Sequence, residues 1–343
     1  MRSLRLHAPR DLRMHDEPVP TPSAGEALIR IASVGICASD LHYYRDGRIG
    51  STVVTSPIVL GHEASGVIEK VGEGVAHLEP GDRIAIEPAK PCMECEWCRS
   101  GHYNVCPGIP FFGTPPVDGC LREFVAWPAR LCLKVPGSLG FDEIAMLEPL
   151  AIGLYAAELA EPKPDDVVAI LGAGGIGLSV LEAVRAAGVK RVIVSEPVEA
   201  RRLAALKLGA SQATTPSSAD ADVERLTNGR GADIVIECTG EDDAVQQTAR
   251  IARVLGKLVI AGIPASDVYP FDASAARRKQ LTAVFVRRSN LTTEKAAELV
   301  AEGKMDAASL ATHRFPLHET AEAMELALNK TDGVIRAIIT VSE

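Results

Sequence analysis

The chain has 343 residues, of which 47% are apolar and 24% are charged, and its formal net charge is −9. It is long enough for two domains with hydrophobic cores, and its acidic balance disfavours both a nucleic-acid partner and an anionic membrane surface. The N-terminus has no apolar stretch of signal-peptide length, and the longest uncharged run in the apolar middle, between Asp166 and Glu182, contains four glycines. We therefore expect a cytoplasmic protein without a membrane segment, in which cysteines stay reduced.

The first 150 residues have the pattern of a β-rich domain. Short segments with period-two alternation, separated by Gly and Pro, predict strands. These segments are EALIRIASVGIC, SGVIEKVG, DRIAIEP and LREFVAW. Many short strands of this kind are typical of a barrel-like β domain.

Four cysteines are concentrated in the stretch PCMECEWCRSGHYNVCPG. They are Cys92, Cys95, Cys98 and Cys106. The spacing lets four thiolates turn onto one zinc ion, and an all-cysteine site leaves no open coordination position, so such a site is structural. An iron–sulfur cluster and four free thiols are the alternatives. The isolated Cys120, Cys132 and Cys238 are predicted to be small buried residues rather than ligands.

From about residue 150 the pattern changes to strands that alternate with helices. Strands are predicted at DDVVAIL, RVIVSE, ADIVIECTG, KLVIAG and LTAVFV, and helices at IGLSVLEAVRAAG, VEARRLAALKLG and DAVQQTARIARVLG. This alternation predicts a parallel sheet with right-handed crossovers. Two further helices, TTEKAAELVAEG and ETAEAMELALNK, and the strand VIRAIITV follow; the pattern alone allows them to extend either domain.

A glycine pattern in the second part predicts a dinucleotide site. Gly172, Gly174 and Gly177 form G-x-G-x-x-G between a predicted strand and a predicted helix, where pyrophosphate binds the helix N-terminus. Glu196 ends the next strand, where its carboxylate accepts from ribose hydroxyls and repels a 2′-phosphate, which favours NAD over NADP. Arg201 and Arg202 temper that preference, because either side chain can reach the same region.

The fragments GICASDLHYY, GHEASG and MLEPLAIG carry further chemistry-bearing residues, each of which alone has an ordinary structural explanation. Taken with GRIG, GDRIAIEP, FFGTPPVDGCLREFV, GAGGIG, THRFPL and the four-cysteine loop, the chain resembles the zinc-dependent medium-chain dehydrogenases over essentially its whole length. It is most similar to the sorbitol (polyol) dehydrogenase branch. The loop with all four cysteines is typical of microbial relatives.

The resemblance implies an α/β protein with a GroES-like, β-rich catalytic domain and a doubly wound, parallel-sheet (Rossmann) NAD-binding domain. The catalytic domain is expected at 1–150 and 291–343, and the NAD-binding domain at 151–290. Two Zn²⁺ ions per chain, NAD, a polyol substrate oxidised to a ketose, and a homo-oligomer (dimer or tetramer) are expected as well.

The resemblance also implies roles for individual residues. Cys37 and His62 match ligands of the catalytic zinc, Glu63 matches the third ligand, and Glu148 lies near the metal and its water. Proton relay is expected at Ser39 and His42. Substrate contacts are expected at Ser39, Tyr43, Phe111, Glu148, Arg287 and Arg288. Cofactor contacts are expected at Gly172, Gly174, Gly175, Ile176, Gly177, Glu196, Arg201, Thr239, Ala261, Gly262, Ile263, Phe285, Val286 and Arg287.

Several alternatives stay open from the sequence. Glu148 rather than Glu63 can be the third zinc ligand, because adjacent residues of an extended chain point opposite ways, unless Gly61 bends the backbone. Threonine dehydrogenases use the same scaffold, and Arg288, where animal polyol enzymes have tyrosine, favours a sugar acid if it faces the pocket. A non-catalytic nucleotide-binding scaffold is the remote alternative.

Overall fold

The computed structural model describes residues 1–265 and 267–342. The chain forms two compact units. The first comprises Met1–Glu148, Thr293–Ala301 and the chain from Ala307 onward, and the second comprises Pro149–Thr292 and Glu302–Asp306. No helix among the described residues is both long and apolar enough to cross a membrane.

The N-terminal part of the first unit is built mostly from short strands. Its elements are β1 (Arg2–Ala8), β2 (Asp11–Asp16), β3 (Glu26–Gly35), α1 (Ala38–Asp46), β4 (Arg48–Ile49), β5 (Thr52–Val53), β6 (Ile58–Val59), β7 (Glu63–Val71), β8 (Arg83–Ile86), α2 (Glu96–Arg99), β9 (Phe124–Pro128), β10 (Cys132–Lys134) and α3 (Phe141–Ala145). The four strands predicted from alternation lie at β3, β7, β8 and β9.

The second unit alternates helices and strands. Its elements are α4 (Leu147–Ala160), inside which the first unit ends, then β11 (Val167–Leu171), α5 (Gly175–Ala186), β12 (Arg191–Ser195), α6 (Glu199–Lys207), β13 (Gln212–Thr214), α7 (Ala219–Leu226), β14 (Ala232–Glu237), α8 (Asp242–Ile251), β15 (Ala252–Ile260), α9 (Ala273–Lys279) and β16 (Thr282–Phe285). The strands form one parallel sheet in the order β13-β12-β11-β14-β15-β16. This is the doubly wound order of a dinucleotide-binding fold, as predicted.

The C-terminal elements are α10 (Thr293–Ala301), β17 (Ala311–Pro316), α11 (Thr320–Asn329) and β18 (Arg336–Thr340). Strand β18 pairs antiparallel with β3, with Ile339 opposite Val34, so the last strand completes the sheet of the first unit. That sheet has the order β10-β8-β7-β3-β18-β17, with β9 on the other part of β3. Its central strand β3 is the longest and is almost entirely buried.

One predicted helix is wrong in its second half. The segment DAVQQTARIARVLG was expected to be a single helix, but α8 ends at Ile251 and the chain continues directly as β15. Lys257 pairs with Ile234 and Leu258 with Val235 in β14, so the backbone groups find partners in the sheet rather than in another helical turn. Val254 and Leu255, whose spacing looked helical, are exposed. Helices α1, α4, α7 and α9 were not predicted.

A buried carboxylate ties together the starts of three strands in the second unit. Asp233 is 6% exposed, accepts from the backbone N–H of Val167 at 3.0 Å, and binds the guanidinium groups of Arg230 and Arg253 at 2.8 and 2.6 Å. Burial alone would raise the pKa of Asp233, but the bonds from Arg230, Val167 and Arg253 outweigh it and hold the pKa well below its usual range. This anchor fixes the starts of β11, β14 and β15, and the glycine loop follows the opposite end of β11.

We expect Asp233→Asn to lower the free energy of unfolding by about 2 kcal/mol at neutral pH, because two arginines lose their anion. A depressed folded-state pKa means that the stabilisation is present above the ordinary value of 3.8 and is lost as the pH falls below it. Urea unfolding of both proteins at pH 7 and pH 3 measures this, and the difference should shrink at pH 3. Asp11→Asn, which removes an exposed partner of Arg13, is the control and should leave the midpoint unchanged. Equal midpoints of the Asp233→Asn variant and the parent at pH 7 would contradict the anchor.

Candidate active site

The start of helix α1 organises one side of a buried pocket in the first unit. Cys37 is the N-cap residue of this helix and is 9% exposed. The Asp40 carboxylate accepts from the backbone N–H of Cys37 through Oδ2 and from that of Gly61 through Oδ1, both at 3.0 Å. One carboxylate that is 1% exposed therefore fixes the cysteine against the loop that carries His62.

The loop before β7 presents His62 to the same pocket. Gly61 has φ of +89°, a conformation that favours glycine, so the chain bends immediately before His62 and Glu63. His62 is 4% exposed, and its Nδ1 lies 3.6 Å from Asp40 Oδ1. Burial lowers the pKa of His62, but the attraction of Asp40 and Cys37 raises it well above its ordinary value. The pocket thus favours positive charge at this position.

Glu63, the first residue of β7, is completely buried. Its Oε1 lies 2.8 Å from Nη2 of Arg336, which is itself 5% exposed. The geometry of this ion pair is not that of a hydrogen bond, and neither Glu63 oxygen has a hydrogen-bond partner among the described residues. Buried carboxylate oxygens normally have such partners, so Glu63 retains unused capacity to bind a cation.

Glu148 adds another buried carboxylate to the same unit. It is 3% exposed, and its Oε2 has no hydrogen-bond partner within the described residues. Burial raises the pKa of Glu148 to about 8, with His62 opposing the shift and the negative charge of Glu63 adding to it. Glu148 is therefore not a solvated acid on a helix surface.

Three of these side chains form a donor group that fits a metal ion. One donor atom each from Cys37, His62 and Glu63 lie within 4.8 Å of one another, and all three residues are buried. A thiolate, an imidazole and a carboxylate are the donor types that zinc prefers, and three protein ligands leave a position open. Glu148 is not part of this group. The donor set and the orphaned Glu63 oxygens therefore fit a catalytic zinc.

Of the residues expected to contact substrate or relay protons, Ser39, His42 and Tyr43 lie on α1 and Phe111 lies between α2 and β9. Ser39 Oγ is 3.5 Å from His62 Nε2, and the Phe111 ring centroid is 5.2 Å from that of His62. Tyr43 is 3% exposed. His42 is half-buried, with Nδ1 3.5 Å from Arg45 Nη2 and 3.8 Å from Asp46 Oδ2. Ser39 and Phe111 thus adjoin the donor group, whereas His42 faces the charged end of the helix.

The four-cysteine loop forms a second, separate donor group. The Sγ atoms of Cys92, Cys95, Cys98 and Cys106 lie within 4.8 Å of one another. Backbone N–H groups of Cys95, Cys98 and Cys92 point at sulfur atoms at 3.4 to 3.5 Å, which favours thiolates. The N–H groups of Glu94 and Cys95 lower the pKa of Cys92 to about 6, whereas burial raises the pKa of Cys98 to about 12. Among the described residues, Cys120, Cys132 and Cys238 belong to neither donor group.

In the second unit, the glycine loop lies between β11 and α5. Gly172 follows β11 directly, Gly174 is the N-cap residue of α5, and Gly175 to Gly177 form its first turn. Glu196 follows β12 and is 4% exposed; it accepts from the backbone N–H of Ala173 at 2.8 Å and of Val198 at 2.9 Å. The carboxylate is therefore held against the glycine loop rather than free at a strand end.

The two arginines after Glu196 have different surroundings. Arg201 is 9% exposed, and its Nη1 lies near Gly174. Arg202 Nη1 donates to the carbonyl oxygens of Glu196 and Pro197 at 2.8 and 2.7 Å. Arg201 is thus the one positioned at the glycine loop.

The remaining predicted cofactor residues follow the strands of the other half of the sheet. Thr239 follows β14, the segment from Ala261 to Ile263 follows β15, and Phe285, Val286 and Arg287 are at the end of β16 or just after it, next to Arg288, which was predicted to contact substrate. Ile263 is 49% and Phe285 53% exposed. All lie at the carboxyl ends of parallel strands, where doubly wound folds bind ligands.

Sequence reasoning missed three residues that the site depends on. Asp40 carried a usable signal, since an acid three residues after an N-cap position is a capping pattern. Arg336 is a lone cation within the apolar strand VIRAIITV, and Glu237 is an acid at the end of the buried strand ADIVIE. An ionisable side chain in an otherwise buried strand indicates a specific partner, but the sequence does not identify that partner.

Comparisons with known proteins assign the family. The family model of the alcohol dehydrogenase GroES-like domain matches residues 23–137, and that of the zinc-binding dehydrogenase family matches residues 175–302. The chain is 35% identical to the sorbitol dehydrogenase of Bacillus subtilis (strain 168), over 99% of this chain and 97% of that protein. It is 40% identical to the sorbitol dehydrogenase of Macaca fascicularis, over 94% of this chain and 91% of that protein.

A solved structure agrees with this assignment. An oxidoreductase/dehydrogenase of unknown specificity from Escherichia coli superposes with a TM-score of 0.94 at 31% identity, over 100% of this chain and 99% of that chain. Fold, donor groups and sequence identity point the same way. The chain belongs to the zinc-dependent medium-chain dehydrogenases, in the sorbitol dehydrogenase branch.

Proposed function

We propose that this protein is a zinc- and NAD-dependent oxidoreductase that transfers a hydride from a secondary hydroxyl of a polyol to NAD and yields the ketose. The buried donor group of Cys37, His62 and Glu63 carries the proposal. Both curated relatives described above are sorbitol dehydrogenases, which supports a polyol of the sorbitol, xylitol or galactitol kind.

Cys37, His62 and Glu63 would hold the catalytic zinc, and the four-cysteine loop would hold a structural one. A zinc ion at the first group supplies the Lewis acidity that lowers the pKa of a substrate hydroxyl. One thiolate and one carboxylate balance the charge of a divalent ion. We assign Glu63 as the third ligand because one of its carboxylate oxygens lies within 4.8 Å of a donor atom of Cys37 and of His62. We place Glu148 beside the site, as a carboxyl group that faces water and substrate.

The hydroxyl proton needs a route out of a buried site. We assign the first step to Ser39, because its hydroxyl lies 3.5 Å from His62 and next to the donor group. His42 is one helical turn further along α1 and only half-buried, so it is suited to pass the proton to solvent. Tyr43 and Phe111 would shape the substrate pocket.

We infer that NAD is the physiological cofactor. The pyrophosphate would bind the N-terminus of α5 at the loop that contains Gly172, Gly174, Gly175, Ile176 and Gly177. Glu196, held rigidly by Ala173 and Val198, would accept from the ribose and repel a 2′-phosphate. Arg201, whose Nη1 lies near Gly174, would be the arginine that competes with that preference.

We further propose the division of labour, location and assembly that the resemblance implies. Residues 1–150 and 291–343 would form the catalytic domain, and residues 151–290 the NAD-binding domain. All eight cysteines are free, which supports a reducing, cytoplasmic environment. Strand β16 pairs only with β15 among the described strands and is mostly exposed, so its free edge supports a homo-oligomer.

The substrate assignment predicts the outcome of an NAD-reduction screen at 340 nm. Sorbitol, xylitol or galactitol should give a kcat/KM at least about tenfold above threonine, simple secondary alcohols and sugar acids, because hydroxyl-binding sites reject analogues that lack the matching groups. A preference for sugar acids would instead assign Arg287 and Arg288 to the pocket, and a preference for threonine would overturn the polyol assignment.

For the catalytic site, Cys37→Ser should lower kcat/KM by about a thousandfold or more, because a weaker ligand replaces a thiolate in the donor group. Zinc measured by mass spectrometry should fall from two ions per chain to one, while NADH still binds. Cys132→Ser, which alters a buried thiol outside both donor groups, is the matched control and should keep both ions and its turnover. Near-normal turnover of Cys37→Ser would refute the assignment.

For the structural site, Cys98→Ser should lower the melting temperature by about 5 °C or more, since zinc binding contributes folding energy. One zinc ion per chain should be lost, and kcat per folded molecule should stay within about twofold of the parent because this group leaves no open position. Thermal unfolding followed by active-site titration separates the two effects. A variant as stable as the parent would argue against a structural ion.

A further inference from the structure

One buried carboxylate that was not among the predicted site residues organises the half of the parallel sheet that is formed by β14, β15 and β16. Glu237 is the last residue of β14 and is completely buried. Its Oε1 accepts three hydrogen bonds: from the backbone N–H of Thr239 at 2.5 Å, the Thr239 hydroxyl at 2.6 Å and the backbone N–H of Gly240 at 2.9 Å. The side chain therefore fixes the turn that follows its own strand.

The same residue also holds the loop after the neighbouring strand. The main-chain oxygen of Glu237 accepts from the N–H groups of Ala261 and Gly262 at 2.8 and 3.2 Å. The side-chain oxygen Oε2 of Glu237 lies so close to Gly262 that a Cβ atom at position 262 would clash with it. Tyr269 donates its hydroxyl proton to the carbonyl of Gly262 at 2.8 Å and completes the hold on this loop.

These two loops lie where a bound dinucleotide places its nicotinamide half. Doubly wound sheets bind one mononucleotide on each half, outside the carboxyl ends of the strands. The glycine loop and Glu196 belong to the half formed by β11, β12 and β13, which takes the adenosine. The loops after β14 and β15, with Thr239 and Ala261 to Ile263, belong to the other half.

We propose that Glu237 is a positioning residue for the nicotinamide mononucleotide half of the cofactor, acting through the loops at 239–240 and 261–262. It occupies backbone N–H groups that otherwise present an anion-binding surface at the strand ends, and it directs the free faces of both loops to the ligand. It does not touch the reacting atoms. Gly262 accordingly serves to accommodate this carboxylate as well as to approach the cofactor. The inference rests on the proposed use of NAD.

Glu182 supplies a matched control. It is likewise a buried carboxyl of the second unit, at 4% exposure, with one oxygen accepting from the backbone N–H of Asp306 at 2.7 Å and the other without a partner among the described residues. Burial raises the pKa of both carboxyls. The one hydrogen bond of the Glu182 carboxyl within the described residues goes to neither loop, so Glu182→Gln reports the general cost of placing an amide in a buried acid site.

The experiment compares zinc-loaded parent, Glu237→Gln and Glu182→Gln in binding NADH by fluorescence and ADP-ribose by calorimetry. For Glu237→Gln the Kd of NADH should rise about tenfold or more, since a neutral amide oxygen accepts the N–H groups of Thr239 and Gly240 more weakly than a carboxylate does, and an NH2 group replaces Oε2 beside Gly262. The Kd of ADP-ribose, which lacks nicotinamide, should change less than about twofold. In turnover assays KM for NAD should rise more than kcat falls. Glu182→Gln should match the parent in both Kd values.

Equal NADH affinity of Glu237→Gln and parent would overturn the inference while leaving the proposed function intact, as would equal weakening of NADH and ADP-ribose. A parent that does not bind NADH would overturn the proposed function and the inference with it. Should Glu237→Gln fail to fold, Glu237→Asp, whose carboxylate is one methylene shorter, gives the same comparison. The rate of hydrogen exchange at residues 239–241 and 261–263 should rise selectively in Glu237→Gln and in Glu237→Asp.

Discussion

The burial of negative charge in the first unit is the constraint on which the rest of the active site depends. The carboxylates of Asp40, Glu63 and Glu148 and the thiol of Cys37 lie in one protein interior, each at most 9% exposed, with Arg336 as the nearby buried cation. Desolvating so many acids is costly unless a positive charge compensates them. A divalent ion provides this positive charge. The raised pKa of His62 and of Glu148 has the same origin, because, without a metal ion, bound protons compensate the buried negative charge. The acidic pocket and the metal are therefore parts of one electrostatic arrangement.

Each unit uses a carboxylate to hold backbone N–H groups at a functional loop. Asp40 accepts from Cys37 and Gly61, and so brings a helix start and a strand start to a common metal site. Glu196 accepts from Ala173 and Val198, and so fixes the glycine loop against the segment that follows β12. Because a carboxylate offers several lone-pair sites, one side chain can order two segments that are far apart in sequence.

The two metal groups differ in how much of their geometry is local. The four cysteines lie within fifteen consecutive positions, and two of the three N–H···S bonds that orient the sulfurs join residues three apart, so spacing alone predicted the cluster. Cys37 and His62 are 25 residues apart, and their proximity follows from the pairing of β3 with β7, in which Gly35 lies opposite Glu63. Long-range pairing of this kind leaves little trace in a local sequence pattern.

Periodicity predicted the class of both units and the parallel sheet, cysteine spacing predicted the four-cysteine group, and glycine spacing predicted the glycine loop. These features could be predicted because they arise from short-range geometry. The extent of α8 could not be read in the same way, since the chain after Ile251 is a strand only because β14 supplies its hydrogen-bond partners. Arg336 and Glu237 likewise became interpretable only in three dimensions: an ionisable group in a buried strand needs a partner, and tertiary structure alone brings Glu63 to the first and the 239–240 and 261–262 loops to the second. The sequence shows which ionisable groups need a partner, but only the folded structure shows which residue provides it. Electrostatic and hydrogen-bond energies depend on distances between atoms, and the linear order of residues does not contain these distances.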